Sequence, residues 1–129
     1  MRALIVDDSP VMRKVVERAL RQAGLAFAEV LQAGNGIEAL DVLRANPSPD
    51  IIVSDINMPG MDGLQFLEQR RVENLAPGVP VIMITTESSA PLVHRAIAAG
   101  ARGYICKPFT PEQIRARIIP LLVRSSAAS

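Results

Sequence analysis

Five times along this chain a short apolar run of strand length gives way to a segment with helical spacing. The runs cover residues 3–6, 28–31, 51–53, 79–84 and 103–106. They are mostly continuous rather than alternating, which marks strands buried on both faces, as in a parallel sheet. The run at 28–31 is the weakest, because Glu29 and Gln32 interrupt it. Strictly alternating strand and helix units call for a parallel sheet covered by helices on both faces. The expected fold class is α/β: a single doubly wound domain of five βα units.

The helical segments carry their own start and stop signals. Ser9-Pro10 places a capping hydroxyl before a proline at the first helical position. Asn35-x-x-Glu38, Asp62-x-x-Gln65 and Thr110-x-x-Gln113 resemble capping boxes. Gly24 and Gly100 stand where helices would stop. In the first segment Val11, Val15, Ala19 and Leu20 fall at helical spacing, and Arg13, Arg18 and Arg21 are expected on a solvated face. In the third, Leu64, Phe66 and Leu67 alternate with Gln65, Glu68 and Arg70. Pro120 should bend or end the last helix.

Composition narrows the function. The chain has 129 residues, the size of one domain. With 14 basic and 13 acidic residues it lacks the basic footprint of a nucleic-acid binder. Cys106 is the only cysteine and His94 the only histidine, so an internal disulfide and a thiolate or multi-histidine metal site are excluded. Cys106 reads as a small buried apolar residue and His94 as a solvated one. No apolar run reaches the roughly 18 residues of a membrane span, and the N-terminal run is too short and too acidic for a signal peptide. A cytoplasmic protein is expected.

In sheets of this kind ligands bind beyond the carboxyl ends of the strands. Those ends carry Asp7-Asp8 after the first strand, Asp55 after the third, Thr85-Thr86-Glu87 after the fourth and Lys107-Pro108 after the fifth. Crowded carboxylates repel, and a divalent cation relieves them. Oxygen ligands without sulfur or imidazole point to Mg²⁺, with Mn²⁺ or Ca²⁺ as substitutes. A carboxylate can also attack phosphorus and become an aspartyl phosphate. The Lys107 ammonium and the Thr85 hydroxyl would then meet the phosphoryl oxygens.

At these positions the chain resembles the receiver domains of two-component response regulators, in their stand-alone, CheY-like chemotaxis form. The matching pieces are Val6-Asp7-Asp8-Ser9, the run 55–63 from Asp55 to Gly63, Ile84-Thr85-Thr86-Glu87, and the run 103–109 ending Cys106-Lys107-Pro108-Phe109. They span nearly the whole chain in order. The resemblance implies a flavodoxin-like strand order, 2-1-3-4-5, with the receiver at residues 1–124 and a short tail at 125–129.

The resemblance also implies roles. Asp55 accepts the phosphoryl group from a histidine kinase. Asp8 is a direct Mg²⁺ ligand, Asp7 assists through water, and Asn57 offers its backbone carbonyl. Thr85 and Lys107 bind the phosphoryl group. Thr85 then moves inward, the Tyr104 ring turns toward the vacated space, and the face made by the fourth helix, fifth strand and fifth helix changes for a partner protein. Asn57 and Glu87 set the rate of self-dephosphorylation, here seconds to minutes, and the Lys107–Pro108 bond is cis. The chain departs from enteric chemotaxis regulators at Ile56, where they carry tryptophan, in a fourth-helix start Ser88-Ser89-Ala90-Pro91 without lysines, and at Pro120.

Plainer readings stand beside these. Asp7-Asp8 also suits a helix N-terminus, and Asp55 a strand-end turn. Thr85 also suits a strand or cap, and Lys107 an edge charge. Tyr104 also suits simple packing. Gly34-Asn35-Gly36-Ile37-Glu38-Ala39 matches a dinucleotide-binding pattern but follows the second strand rather than the first. A flavodoxin-like carrier would have to place a phosphate against Asp7-Asp8. A haloacid-dehalogenase-type phosphatase would use Asp55-x-Asn57, yet its nucleophile should end the first strand. A receiver that binds without being phosphorylated is the remaining alternative.

Overall fold

A computed structural model describes residues 1–46, 48–86 and 89–128, with side chains through residue 122. The elements alternate: β1 (Arg2–Val6), α1 (Pro10–Gln22), β2 (Glu29–Ala33), α2 (Gly36–Ala45), β3 (Ile51–Asp55), α3 (Gly63–Val72), β4 (Val81–Thr85), α4 (Ala90–Ala98), β5 (Gly103–Cys106) and α5 (Pro111–Ala128). The five strands form one parallel sheet in the order β2-β1-β3-β4-β5. The direction of winding reverses between β1 and β3, and that reversal opens a crevice beyond their carboxyl ends.

The central strands are buried on both faces. On one side Leu4, Val6, Ile52, Val81 and Met83 join Leu40, Leu43, Leu64, Phe66 and Leu67 of α2 and α3, with Ala96 of α4. On the other, Ala3, Ile5, Ile51, Val53, Ile82 and Ile84 meet Val16 and Leu20 of α1 and Ile114 and Ile118 of α5. Each fully buried large apolar side chain contributes roughly 1.5–3 kcal/mol to folding. Alternation between two apolar layers therefore hides inside a continuous apolar run.

Register places the crevice. Val6 pairs with Ser54, Asp55 with Ile84, and Thr85 with Cys106. The strand ends thus finish almost level, and Asp7, Asp55, Thr85 and Lys107 leave the sheet along one edge.

Several local expectations need correction. β2 runs from Glu29 to Ala33 rather than over 28–31. It is an edge strand, so Gln32 is tolerated on its exposed side. β4 starts at Val81, after Pro80, which has no N–H to give the ladder. In α1 the inward stripe is Val16, Ala19 and Leu20 with Met12 half-buried, while Val11 is 72% exposed and Val15 45%. Two adjacent stripes both satisfy the helical period there, and only docking selects one. Arg70 is buried, its Nη2 donating to Ala76 O at 2.7 Å and Val79 O at 2.9 Å. Helix α5 runs from Pro111 to Ala128 and does not end at Pro120. Pro120 lies on its exposed side, and burial of Ile114, Ile118 and Leu122 carries the helix past the missing N–H. Cys106 is half-buried rather than buried, and His94 is exposed.

Candidate functional site

The site is assembled from the loops that follow β1, β3, β4 and β5. After β1 the chain turns sharply. Asp7 N–H donates to Ala33 O at 3.0 Å, and Asp7 Oδ1 accepts the Ser9 N–H at 2.9 Å. Ser9 in turn caps α1, its Oγ accepting from Met12 N at 3.2 Å. Asp7 is thereby left only 4% exposed, while Asp8 faces solvent.

After β3, Asp55 Oδ1 accepts the Ile56 N–H at 2.7 Å. The loop closes at Gly63, whose N–H donates to Ile56 O at 2.8 Å. A Cβ at Gly63 would lie 2.3 Å from Asp55 O and 2.9 Å from Ile56 Cα, so only glycine lets α3 start this close to the strand end. Asp62 and Gln65 complete a reciprocal capping box at that start.

The side chain that unites the loops comes from the far end of the sequence. Lys107 Nζ lies 3.3 Å from Asp7 Oδ2 and 3.3 Å from Asp55 Oδ2, although Lys107 is 100 residues from Asp7. Its backbone N–H donates to Thr85 O at 2.8 Å, which ties the ends of β4 and β5 together. The Lys107–Pro108 peptide is cis. Thr85 is fully buried and Asn57 exposed. Glu87, with Ser88, lies outside the described residues. Tyr104 is half-buried on β5, and the Arg117 guanidinium of α5 sits 6.0 Å from the centre of its ring.

Electrostatics follow from this crowding. Burial pushes the Asp55 carboxyl above its ordinary range, and the charge of Asp7 adds to the effect. The Lys107 ammonium and the Ile56 N–H oppose it without reversing it. Asp7, Asp8 and Asp55 each present a carboxylate oxygen within 4.8 Å of the others. Such an all-oxygen set, one partner open to solvent, suits a hard divalent cation that keeps some of its water. The donor chemistry therefore fits Mg²⁺.

Sequence reasoning missed one contributor. Arg13, expected on a solvated face, donates from Nη1 to Asp7 O at 2.5 Å and from Nε to Gln32 Oε1 at 2.9 Å. Its target is a backbone carbonyl, which no side-chain pattern displays. The glycine-rich stretch after β2 serves packing. Gly36 N–H donates to Met61 O at 2.9 Å, and a Cβ at Gly36 would lie 2.5 Å from Met61 Cγ. Asn35 caps α2 by accepting from Glu38 N at 2.9 Å, while the Glu38 carboxylate takes the Gly34 N–H at 3.1 Å rather than closing a full capping box.

Residues 3–119 match the family described as response regulator receiver domain. The chain belongs to that family. This receiver domain is 39% identical over 118 residues to chemotaxis protein CheY1 of Helicobacter pylori, covering 92% of this chain and 94% of that one. It is 38% identical over 122 residues to a chemotaxis protein CheY homolog of Campylobacter jejuni, covering 95% and 92%. Among solved structures, chemotaxis protein CheY4 of Vibrio cholerae matches with a TM-score of 0.81 and 36% identity over 93% of this chain and 97% of that one. A CheY-like receiver domain from Methanospirillum hungatei matches at 0.83 and 29% identity, over 99% and 98%. The strand order is shared with flavodoxin-like carriers, and it is the family match that sets this chain apart from them and from the phosphatase, whose nucleophile would stand after β1. Receiver domains of this kind are signalling regulators rather than enzymes of metabolism. Among the described residues no helix is long and apolar enough to cross a membrane.

Proposed function

We propose that this receiver domain is a cytoplasmic, phosphorylation-activated switch of a two-component pathway, of the chemotaxis type its relatives represent. The observation that carries this reading is the position of Lys107 Nζ, 3.3 Å from both Asp7 and Asp55 within a cluster of three carboxylates. A half-buried ammonium aimed at an acceptor carboxylate is suited to hold a phosphoryl oxygen once the group has arrived.

In this reading Asp55 Oδ attacks the phosphorus of a phosphohistidine on a sensor kinase. The new P–O bond forms as the P–N bond breaks, and the electron pair returns to the imidazole. Asp8, Asp55 and the Asn57 carbonyl would hold Mg²⁺, with Asp7 assisting through water, and the ion would offset the charge gathered on the phosphoryl oxygens. Lys107 takes one oxygen and the Thr85 hydroxyl another. A dianionic group then biases a two-state element. Thr85 is drawn toward it, the Tyr104 ring moves, and the α4-β5-α5 face presents a changed surface to a partner protein. Asn57 and Glu87 govern water access to the phosphoryl group, which is lost again within seconds to minutes. The receiver occupies residues 1–124.

Incubation with acetyl phosphate and Mg²⁺ followed by intact-mass measurement tests this directly. One added phosphoryl group is expected on the wild type and none on Asp55→Asn. An unmodified wild type at every Mg²⁺ concentration would overturn the proposal, and so would an adduct that survives Asp55→Asn.

A further inference from the structure

The Asp7–Asp8 turn is pinned from a direction the phosphorylation chemistry does not use. Asp7 O is the last carbonyl of the β1 line, and beyond Val6 and Ala33 the register offers it no neighbouring strand. Arg13, one turn into α1, supplies the missing donor at 2.5 Å. The same guanidinium is held in place by Gln32 Oε1, at 2.9 Å, from the end of β2. Asp7 O belongs to the peptide unit that joins the two acids, so its direction sets where the Cα of Asp8 stands. Asp8 is exposed, and its carboxylate position depends on that backbone.

From this geometry we infer that Arg13 is a positioning residue for cation binding: its guanidinium, braced by Gln32, fixes the Asp7–Asp8 peptide so that both carboxylates converge with Asp55. The inference rests on the metal reading of the acidic cluster. Two opposing effects have to be weighed. The positive charge of Arg13 by itself disfavours a cation nearby, whereas ordering the two acids favours one. Arg13 is directed at a carbonyl and not at any carboxylate of the cluster, and its charge is partly open to solvent and screened. The ordering effect therefore dominates. Supporting groups of this kind typically change metal affinity by about 10–100-fold.

Calorimetric titration of Mg²⁺ at constant ionic strength, paired with thermal unfolding in EDTA, tests the inference. Arg13→Met is expected to bind Mg²⁺ about tenfold more weakly than wild type. Arg13→Lys, which keeps the charge but lacks the planar fork, is expected to be nearly as weak. Gln32→Leu, at an exposed position, should weaken binding roughly two- to threefold, and it carries the test if Arg13→Met does not fold. A residue that serves stability alone would lower the unfolding temperature in EDTA and leave Mg²⁺ affinity unchanged, and that result overturns the inference. Tighter binding by Arg13→Met, or wild-type binding by Arg13→Lys, would show a charge effect and overturn it as well. A wild type that binds no Mg²⁺ would remove the metal reading itself, and the inference with it. Wild-type binding with unaltered variants would remove the inference alone.

Discussion

Helices α3 and α4 follow neighbouring strand ends, yet they are held to the molecule in different ways. Helix α3 starts in a capping box and buries Leu64, Phe66, Leu67 and Arg70. Its last turn leads to Glu73, which Arg44 of α2 grips through Nε at 2.8 Å and Nη2 at 2.6 Å. Helix α4 buries only Ala96, and its N-cap Ser89 makes no side-chain capping bond. Its C-terminal end is tethered from α3, where Arg71 donates to Ala98 O at 3.0 and 2.9 Å. The helix behind Asp55, the proposed acceptor, is thus part of the rigid frame. The helix behind Thr85 is held by the single buried Ala96, the half-buried Leu92 and the Arg71 tether, on the face proposed to change for a partner. Elements with few buried apolar contacts open at low free-energy cost, so in the proposed switch a small displacement at Thr85 would reach the surface through α4 while α3 keeps Asp55 in place.

The largest expected effect in this contrast is in packing. Phe66→Ala should destabilise the fold by about 3–5 kcal/mol, while Ile97→Ala on α4, where the side chain is 53% exposed, should stay within about 0.5 kcal/mol. Urea unfolding measures both, and similar losses would erase the distinction. Next come the caps. Asp62→Ala should cost about 0.5–2 kcal/mol, and Ser89→Ala should leave the unfolding midpoint unchanged.

Asp55 itself lies on the rigid side and strains it electrostatically. Folding raises the proton affinity of the Asp55 carboxyl, chiefly through burial. A carboxyl raised in this way supports the fold below its ordinary value, and that support is lost as pH rises through the folded value. At neutral pH its ionised form therefore opposes folding. Asp55→Asn should raise the unfolding temperature in EDTA by a few degrees, and an unchanged or lower value would contradict the balance described.

The smallest effect concerns the far end of α3. Bonding to Arg44, with Gln69 as a second donor, lowers the Glu73 carboxyl from 4.5 to about 2. Its support is present above the ordinary value and is lost as pH falls toward the depressed one. Stability measured from roughly pH 5 to 2 should fall less steeply in Glu73→Gln than in wild type. Parallel curves would mean that the pair contributes nothing.

The contrast between the two helices was only partly legible in the sequence. Asp62-x-x-Gln65 announced the cap of α3, because capping is local and needs four consecutive residues. The burial of Arg70 was hidden, because a long polar side chain on a helix looks solvated until the carbonyls of Ala76 and Val79 are known to surround it. The same reason concealed Arg13. In α1 the helical period allows two stripes, and the docked helix turns Val11 and Val15 outward while Ala19 and Leu20 face the core. Pro120 suggested a bend or an early end, and of these the early end does not occur, since the helix continues to Ala128.

What the sequence determined by itself was the repeating unit and the chemistry placed at its ends. Continuous apolar runs separated by capped helical segments permit little besides a parallel sheet, and acids, hydroxyl and lysine stand directly after those runs. These signals span a few residues each and survive without knowledge of the rest of the chain. Tertiary structure decided which of them meet. Asp7 and Lys107 come within 3.3 Å across 100 positions of sequence because the strand order closes that distance. Which arginine is buried, which valine faces water and which backbone carbonyl needs a donor are relations between elements. They take a value only when the helices dock on the sheet.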